Sequence, residues 1–447
     1  MNTILHLPTP SASRCPASRR SRIAPRSNRR GFSSGLLIAS CVFLAGFIAL
    51  GLNTARLLCV RAELYAACEA AALAGTAELM DEHEILGKPE NRDDILMARE
   101  AARLVGLRNF VDGREFRLDP NHRNVPSGHV VIGNVEPLGP VGMPLGIPPD
   151  VDNPGAVNTL RVTGRLSQNT FNKISLWLGG LTGVTTADPA CAVQATLDQR
   201  VVGFRPERGV KVPVVPLIAE YQAWLDQSKA TPAAGINDNF GFDPISGQVT
   251  TGPDGIPELV FVCGPPQAAA PTTDEQADAA DATTESTDAK GADDEASAPP
   301  QGEPGWCVVP DLFNELKIDY AWPVRCREGL SRGDLSAYGG EFVLYGPTLT
   351  MAVLPTMPGE LAYGLMDIIG STRAWPLADE VSASSEIPSC QVVGFAAGRI
   401  MTVRRTPDTQ NTTWEIVVQP TTLVSSQAVT GSAAPRNPWI GKLELTQ

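Results

Sequence analysis

GFSSGLLIASCVFLAGFIALGLNTA, residues 31–55, runs straight into RLLCVRAELYAACEAAALAGTAELM, residues 56–80, and the reading of the whole chain turns on this stretch. The first segment carries no charged residue. Roughly 20 apolar residues at about 1.5 Å each cross a ~30 Å hydrocarbon layer, so a transmembrane helix is expected over 31–55, with Gly31, Phe32, Leu36, Leu44, Phe47 and Leu50 among its anchor residues. Arg14, Arg19, Arg20, Arg22, Arg26, Arg29 and Arg30 precede it, whereas Arg56, Arg61 and Glu63 follow. That asymmetry places residues 1–30 in the cytoplasm as a basic tail and the bulk of the chain outside.

Processing signals compete with a plain anchor. Arg29-Arg30-Gly31-Phe32 has the form of a twin-arginine export signal. Ile38-Ala39-Ser40-Cys41 fits a lipoprotein box, but Val-Phe-Leu-Ala follows where a mature lipoprotein turns polar. Basic residues before Gly31-Phe32 also end a pilin-type leader, yet Leu36 stands where a pilin carries the Glu that neutralises a neighbour's amine inside the fibre. Cleavage after Ala49-Leu50-Gly51 is open too, although the apolar lead-in is long for a secretory signal.

Beyond Ala55 the pattern stays helical, with no Pro and many Ala, Leu, Arg and Glu, and one helix is expected from the bilayer to about Leu86. Leu57, Val60, Leu64, Ala67, Ala71, Ala74 and Leu79 form an apolar stripe, which packs either on its own domain or on a partner. A second helix is expected over Arg92–Val111. Here the chain resembles the TadG-like (TadE/TadG) membrane proteins of the tight-adherence, or Flp pilus assembly, system. The resemblance rests on Arg29-Arg30-Gly31 before the span and on a juxtamembrane run comprising Arg61, Ala62, Glu63, Leu64, Tyr65, Ala66, Ala67, Cys68, Glu69, Ala70, Ala71, Ala72, Leu73, Ala74 and Gly75. Glu69 stands in place of that family's usual Asp. The match covers residues 29–77, loosens towards 205 and goes no further. It implies an accessory or structural protein anchored in the inner membrane, with its bulk in the periplasm. It further implies action by contact with pilus-assembly or secretion proteins, and it brings no catalytic residue. The metal motif Asp-x-Ser-x-Ser of family members with a von Willebrand A domain does not occur.

The remainder reads as β-rich. β-branched runs punctuated by Gly and Pro occur at 129–135, 159–166, 191–204, 258–263, 342–354, 391–404 and 414–419, with helices expected at Asn169–Leu181 and Glu360–Ile369. The class is therefore α+β: a transmembrane helix continuing into a long helix, then a mostly β extracytoplasmic body with a disordered acidic insertion. Residues 56–205 form the stem and first α+β region, 206–263 a β-rich region, 264–305 the acidic linker or loop, and 306–447 a β-rich C-terminal region. Between Gly264 and Gly305 lie ten acidic residues, one Lys (Lys290) and no Ile, Leu, Val, Met or aromatic residue. Nothing there can offset the entropy of ordering. A disulfide between Cys263 and Cys307 would make it a loop of one domain instead of a boundary. Cys68, Cys191, Cys263, Cys307, Cys326 and Cys390 all face an oxidising space under this topology, with connectivity left open.

Charge and motifs weigh against other functions. The net charge of −13 becomes −20 once the seven N-terminal Arg are set aside, so nucleic acid is not an expected partner. Gly329-Leu330-Ser331-Arg332-Gly333 is a literal G-x-S-x-G, but an α/β-hydrolase needs a later His, and the His residues stand at 6, 83, 122 and 129. Asn237-Asp238-Asn239-Phe240-Gly241-Phe242-Asp243 faintly resembles a Ca²⁺ loop without its closing bidentate Glu. No metal, cofactor, small-molecule substrate or enzymatic activity is expected. The alternative to the anchored scaffold is an exported cell-surface protein released by signal cleavage, with an enzyme as a distant third.

Overall fold

The structure, a computed structural model, describes residues 32–80, 85, 92–135, 145–146, 157–167, 173–230, 237–263, 304–312, 321–354, 356–382, 388–406 and 413–446. The acidic segment expected to be disordered lies outside these residues, apart from its last two, as does the basic tail. The chain divides into two compact units. One runs to Leu57 and includes Ser175–Ala187; the other comprises Leu58–Ile174 and Asp188–Gln447. The class is α+β, with one long apolar N-terminal helix.

Helix α1 spans Phe32–Ala77, 46 residues, or ~69 Å at about 1.5 Å per residue. It stops short of the expected Leu86. The Thr76 hydroxyl donates to the carbonyls of Ala72 at 2.8 Å and of Ala195 at 3.2 Å. The chain then tightens through bonds from Leu79 N to Thr76 O and from Met80 N to Ala77 O. Thr76 thus ties the last turn to a β-strand, and the helix ends where that tie is made. Helix α2, Arg92–Arg108, stops before the expected Val111. Asp112 (φ 52°) and Gly113 (φ 73°) both turn left-handed and close a hairpin between Phe110–Val111 and Arg114–Glu115, the usual geometry of an Asp-Gly turn.

The large sheets use β1 (Val130–Gly133), β2 (Thr159–Arg165), β3 (Ala190–Asp198), β4 (Ile218–Glu220), β5 (Leu259–Cys263), β6 (Gly305–Pro310), β7 (Leu349–Leu354), β8 (Thr372–Ser382), β9 (Ser389–Thr406), β10 (Thr413–Pro420), β11 (Leu423–Val424) and β12 (Ile440–Leu445). The expected runs at 129–135, 159–166, 258–263 and 414–419 match single strands, and 391–404 lies inside β9. The runs at 191–204 and 342–354 each break into two strands.

A five-stranded sheet has the order β11–β12–β3–β2–β1. A second, seven-stranded assembly closes on itself. Hydrogen-bonded pairing runs from β9 to β10, β5, β6, β4, β8 and back to β9, with β7 wedged between β9 and β6. Closure removes the unpaired edges that invite association. Trp224 and Trp375 each stack on Phe261 within its core and are tilted to one another, ring centroids 5.7 to 6.4 Å apart. Cys263 and Cys307 are bonded, Cα atoms 4.7 Å apart. They sit opposite one another on the parallel neighbours β5 and β6, so the acidic segment leaves and re-enters a single barrel.

The helix expected over Asn169–Leu181 does not form in its described part. Ile174–Ser175 pairs as a strand in a short sheet with Thr186–Ala187, and only a single turn, α3 (Gly179–Thr182), lies between. The Gly179-Gly180 pair is a poor helix former, and Gly183 at φ 77° ends the turn. Helices α4 (Tyr221–Ser228), α5 (Trp322–Glu328) and α6 (Gly359–Met366) follow, α6 overlapping the expected Glu360–Ile369 helix but starting one residue earlier and ending three residues sooner.

Candidate membrane anchor and stem

The N-terminal half of α1 presents its apolar residues outward. Leu36, Leu44, Phe47 and Leu50 are between 56% and 64% exposed. Gly31 lies outside the described residues, and Phe32 forms the first turn of the helix. The apolar run is almost wholly uncovered by the rest of the described chain. Fully covering a Leu or Phe side chain is worth about 1.5–3 kcal/mol, so leaving this many in water is costly. The helix is long and apolar enough to cross a membrane.

Where the apolar run ends, the same unit builds a collar. Asn53 is 5% exposed, and its Oδ1 accepts the backbone N–H of Leu178 at 3.2 Å. The Arg56 guanidinium lies 4.8 Å from the centre of the Trp177 ring, while Trp177 itself is 67% exposed. An exposed Trp stacked on the first cation after an apolar span has the composition of a membrane–water boundary, where amphipathic rings and long cations both rest. Sequence reading missed this pair because it placed Trp177 inside a helix; the lone Trp in the run Leu176-Trp177-Leu178-Gly179-Gly180 was the available signal.

In the second unit, the stem half of α1 packs on its own domain. Leu64, Ala67, Ala71, Ala72 and Gly75 are buried; Glu69, Ala70, Leu73 and Ala74 are half-buried; Arg61 and Glu63 are exposed. Glu63 accepts the backbone N–H of Asp112 at 2.8 Å. The small residues permit close approach: a Cβ on Gly75 would stand 2.6 Å from Leu160 Cδ1 and 2.7 Å from the carbonyl oxygen of Ala98. Of the expected stripe, Val60, Leu64, Ala67 and Ala71 are buried, while Leu57, Ala74 and Leu79 are half-buried. Beneath, Arg99 is 2% exposed and donates to the carbonyls of Pro120 at 2.8 Å and Asn121 at 2.6 Å, and to Asn124 Oδ1 at 3.1 Å.

Gly329 (φ 86°) follows α5, and a Cβ there would meet Val212 O at 2.0 Å, which accounts for the first Gly of G-x-S-x-G. Ser331 Oγ donates to Asp334 Oδ2 at 2.5 Å, and Arg325 Nε pairs with Asp334 Oδ1 at 2.7 Å. Burial opposes ionisation of Asp334, but the hydrogen bonds from Ser331 and Arg325 outweigh it and hold the carboxyl below its ordinary range. The Ser331 hydroxyl is thus bound to a carboxylate that carries an Arg partner, an arrangement that closes a turn. His129 Nδ1 accepts the N–H of Asp119 at 3.1 Å, and burial pushes its pKa down.

In the loop resembling a Ca²⁺ site, Asp238 accepts the N–H groups of Asp254 and Gly255, both at 3.0 Å, and Glu258 those of Asn239 and Phe240. Backbone donors occupy these oxygens, and among the described residues no group of three or more His, Cys, Asp or Glu is arranged to hold a metal. No family model matches the sequence, and neither a curated protein nor a solved structure was found that is similar to it.

Proposed function

We propose that this chain is a single-span protein of the bacterial inner membrane whose body stands in the periplasm and works by binding other proteins of the envelope, as an accessory or structural element of Flp pilus assembly or a related secretion system. The observation that carries the reading is the continuity of α1: its first half is apolar and exposed, while its second half is buried against a folded β-rich body. The same helix supplies Leu64, Ala67, Ala71 and Gly75 to a core. The Asn53–Leu178 and Arg56–Trp177 contacts support an interfacial boundary near residue 56. The Arg-rich tail supports a cytoplasmic N-terminus. The pilus assignment rests on the resemblance of residues 29–77.

Membrane fractionation tests the anchor. The full chain should stay with carbonate-washed membranes and should lose its body to protease added to spheroplasts. Recovery of the intact chain in a detergent-free supernatant refutes it. Crosslinking in membranes followed by pull-down should retrieve pilus or secretion components, and unaltered piliation on deletion refutes the assembly role.

A further inference from the structure

Two cysteines meet where the stem crosses the five-stranded sheet. Cys68 lies one turn beyond Leu64 on α1 and is fully buried; Cys191 lies near the start of β3 and is half-buried. Their Sγ atoms are 3.3 Å apart, and Cys191 Sγ is 3.7 Å from the Leu64 carbonyl oxygen. Closing to a bond of ~2.05 Å needs a shift of only about 1.2 Å, within reach of a side-chain adjustment. The space for the sulfurs is made by Gly164, which faces Cys191 across β2 and β3. A Cβ on Gly164 would stand 2.6 Å from Cys68 Sγ, 2.9 Å from Leu64 Cδ1 and 3.1 Å from Phe116 Cζ.

We propose that Cys68 and Cys191 are a redox-active pair that forms a second disulfide by thiol–disulfide exchange, stapling the membrane stem to the sheet. The oxidant is an external disulfide R–S–S–R, either a small molecule or an exposed protein disulfide. The Cys191 thiolate attacks one sulfur and expels R–S⁻, leaving a mixed disulfide. Cys68 sulfur then attacks the Cys191 sulfur and expels the second R–S⁻. Two electrons pass from the pair to R–S–S–R, and the two thiol protons leave with the two R–S groups as thiols.

The order of attack follows from environment. The hydrogen bond shared with Cys68 lowers the Cys191 thiol against the cost of burial, and the Gly164 amide and the Arg61 charge lower it further. That same bond and burial push Cys68 up. The half-buried partner is thus the nucleophile and the fully buried one resolves. Burial pushes Cys326 and Cys390 up to about 12, so they stay thiols in the same reaction.

Formation in cells rests on the periplasmic placement proposed above; formation in the tube does not. The full chain in detergent micelles, mildly reduced, is incubated with oxidised glutathione, trapped in acid, alkylated and mapped by non-reducing mass spectrometry. The Cys68–Cys191 peptide pair should dominate. Cys68→Ser, or Cys68→Ala if the serine variant does not fold, should leave Cys191 as the glutathione adduct. In Cys191→Ser, Cys68 should remain unmodified. A wild-type chain that ends with glutathione on Cys191 beside a free Cys68, or with neither modified, overturns the pair. Acid-trapped protein from cells should carry both this bond and Cys263–Cys307. Cells showing both pairs reduced, with the bond still forming in the tube, would overturn the periplasmic placement and leave the pair standing.

Discussion

Breaking the Cys263–Cys307 bond is expected to cost an amount set by the chain it encloses. The two residues are 44 apart in sequence, and the loop-closure relation gives ~4 kcal/mol for a loop of that size. Removing residues 268–299 takes out 32 residues and shortens the separation to 12, for which the same relation gives ~3 kcal/mol. The deletion is tolerable because β5 and β6 overlap by three register pairs, Phe261 with Gly305 to Cys263 with Cys307, so the return path is only about 10 Å. Cys263→Ala with Cys307→Ala, made in the long and the short chain, forms a cycle. Loss of the two buried sulfurs is common to both arms and cancels. Urea titrations followed by tryptophan fluorescence should show the double substitution costing about 1 kcal/mol more in the long chain. Equal costs in both backgrounds would refute the entropic reasoning, and no cost in either would refute the bond.

Leu44→Arg places a charge near the middle of the exposed apolar run and should disfavour insertion by ~2.5–3.5 kcal/mol; the measure is the carbonate-resistant fraction, and an unchanged fraction contradicts the anchor. Gly75→Ala would ordinarily gain up to ~1 kcal/mol in a helix, but its Cβ at 2.7 Å from the Ala98 carbonyl should turn that into a net loss of about 1–2 kcal/mol, and a more stable variant shows the packing argument to be wrong. Arg99→Met leaves the acceptors at Pro120, Asn121 and Asn124 without their donor and should cost about 3–5 kcal/mol, read from the urea midpoint; a cost under 1 kcal/mol speaks against the network. Ser331→Ala should cost ~1 kcal/mol at pH 7. Because Asp334 titrates below its ordinary value when folded, its contribution is present above the unfolded pKa and is lost as pH falls through the folded one. The Ser331→Ala cost should therefore shrink in acid, and a cost that grows there reverses the assignment.

Much of the local structure was legible in the sequence because its causes are local. An uncharged apolar run followed by an Ala- and Leu-rich run with no Pro specifies a helix whatever surrounds it, and α1 follows that rule through Ala77. Runs of Val, Ile and Thr bounded by Gly and Pro lie at or within β1, β2, β5, β9 and β10. Errors fell where a distant partner decides. Thr76 ends α1 through a bond to Ala195, 119 residues away. The segment around Trp177 is no long helix, since Leu178 N answers to Asn53.

Of the candidate site, the exposure of Leu36, Leu44, Phe47 and Leu50 was readable from composition, and the burial of one face of the stem from helical spacing. The Cys263–Cys307 bond was open to proposal from its place at the two ends of the acidic segment, but the meeting of Cys68 with Cys191 was not readable. Cys68 finds Cys191 because Gly164 lacks a side chain, and Cys263 finds Cys307 because β5 and β6 run in parallel register. Apolar periodicity is written within a few residues and acts through them. Barrel closure and sulfur proximity join residues more than forty positions apart, and those meetings exist only once the entropy of closing the intervening chain has been offset by the packed core.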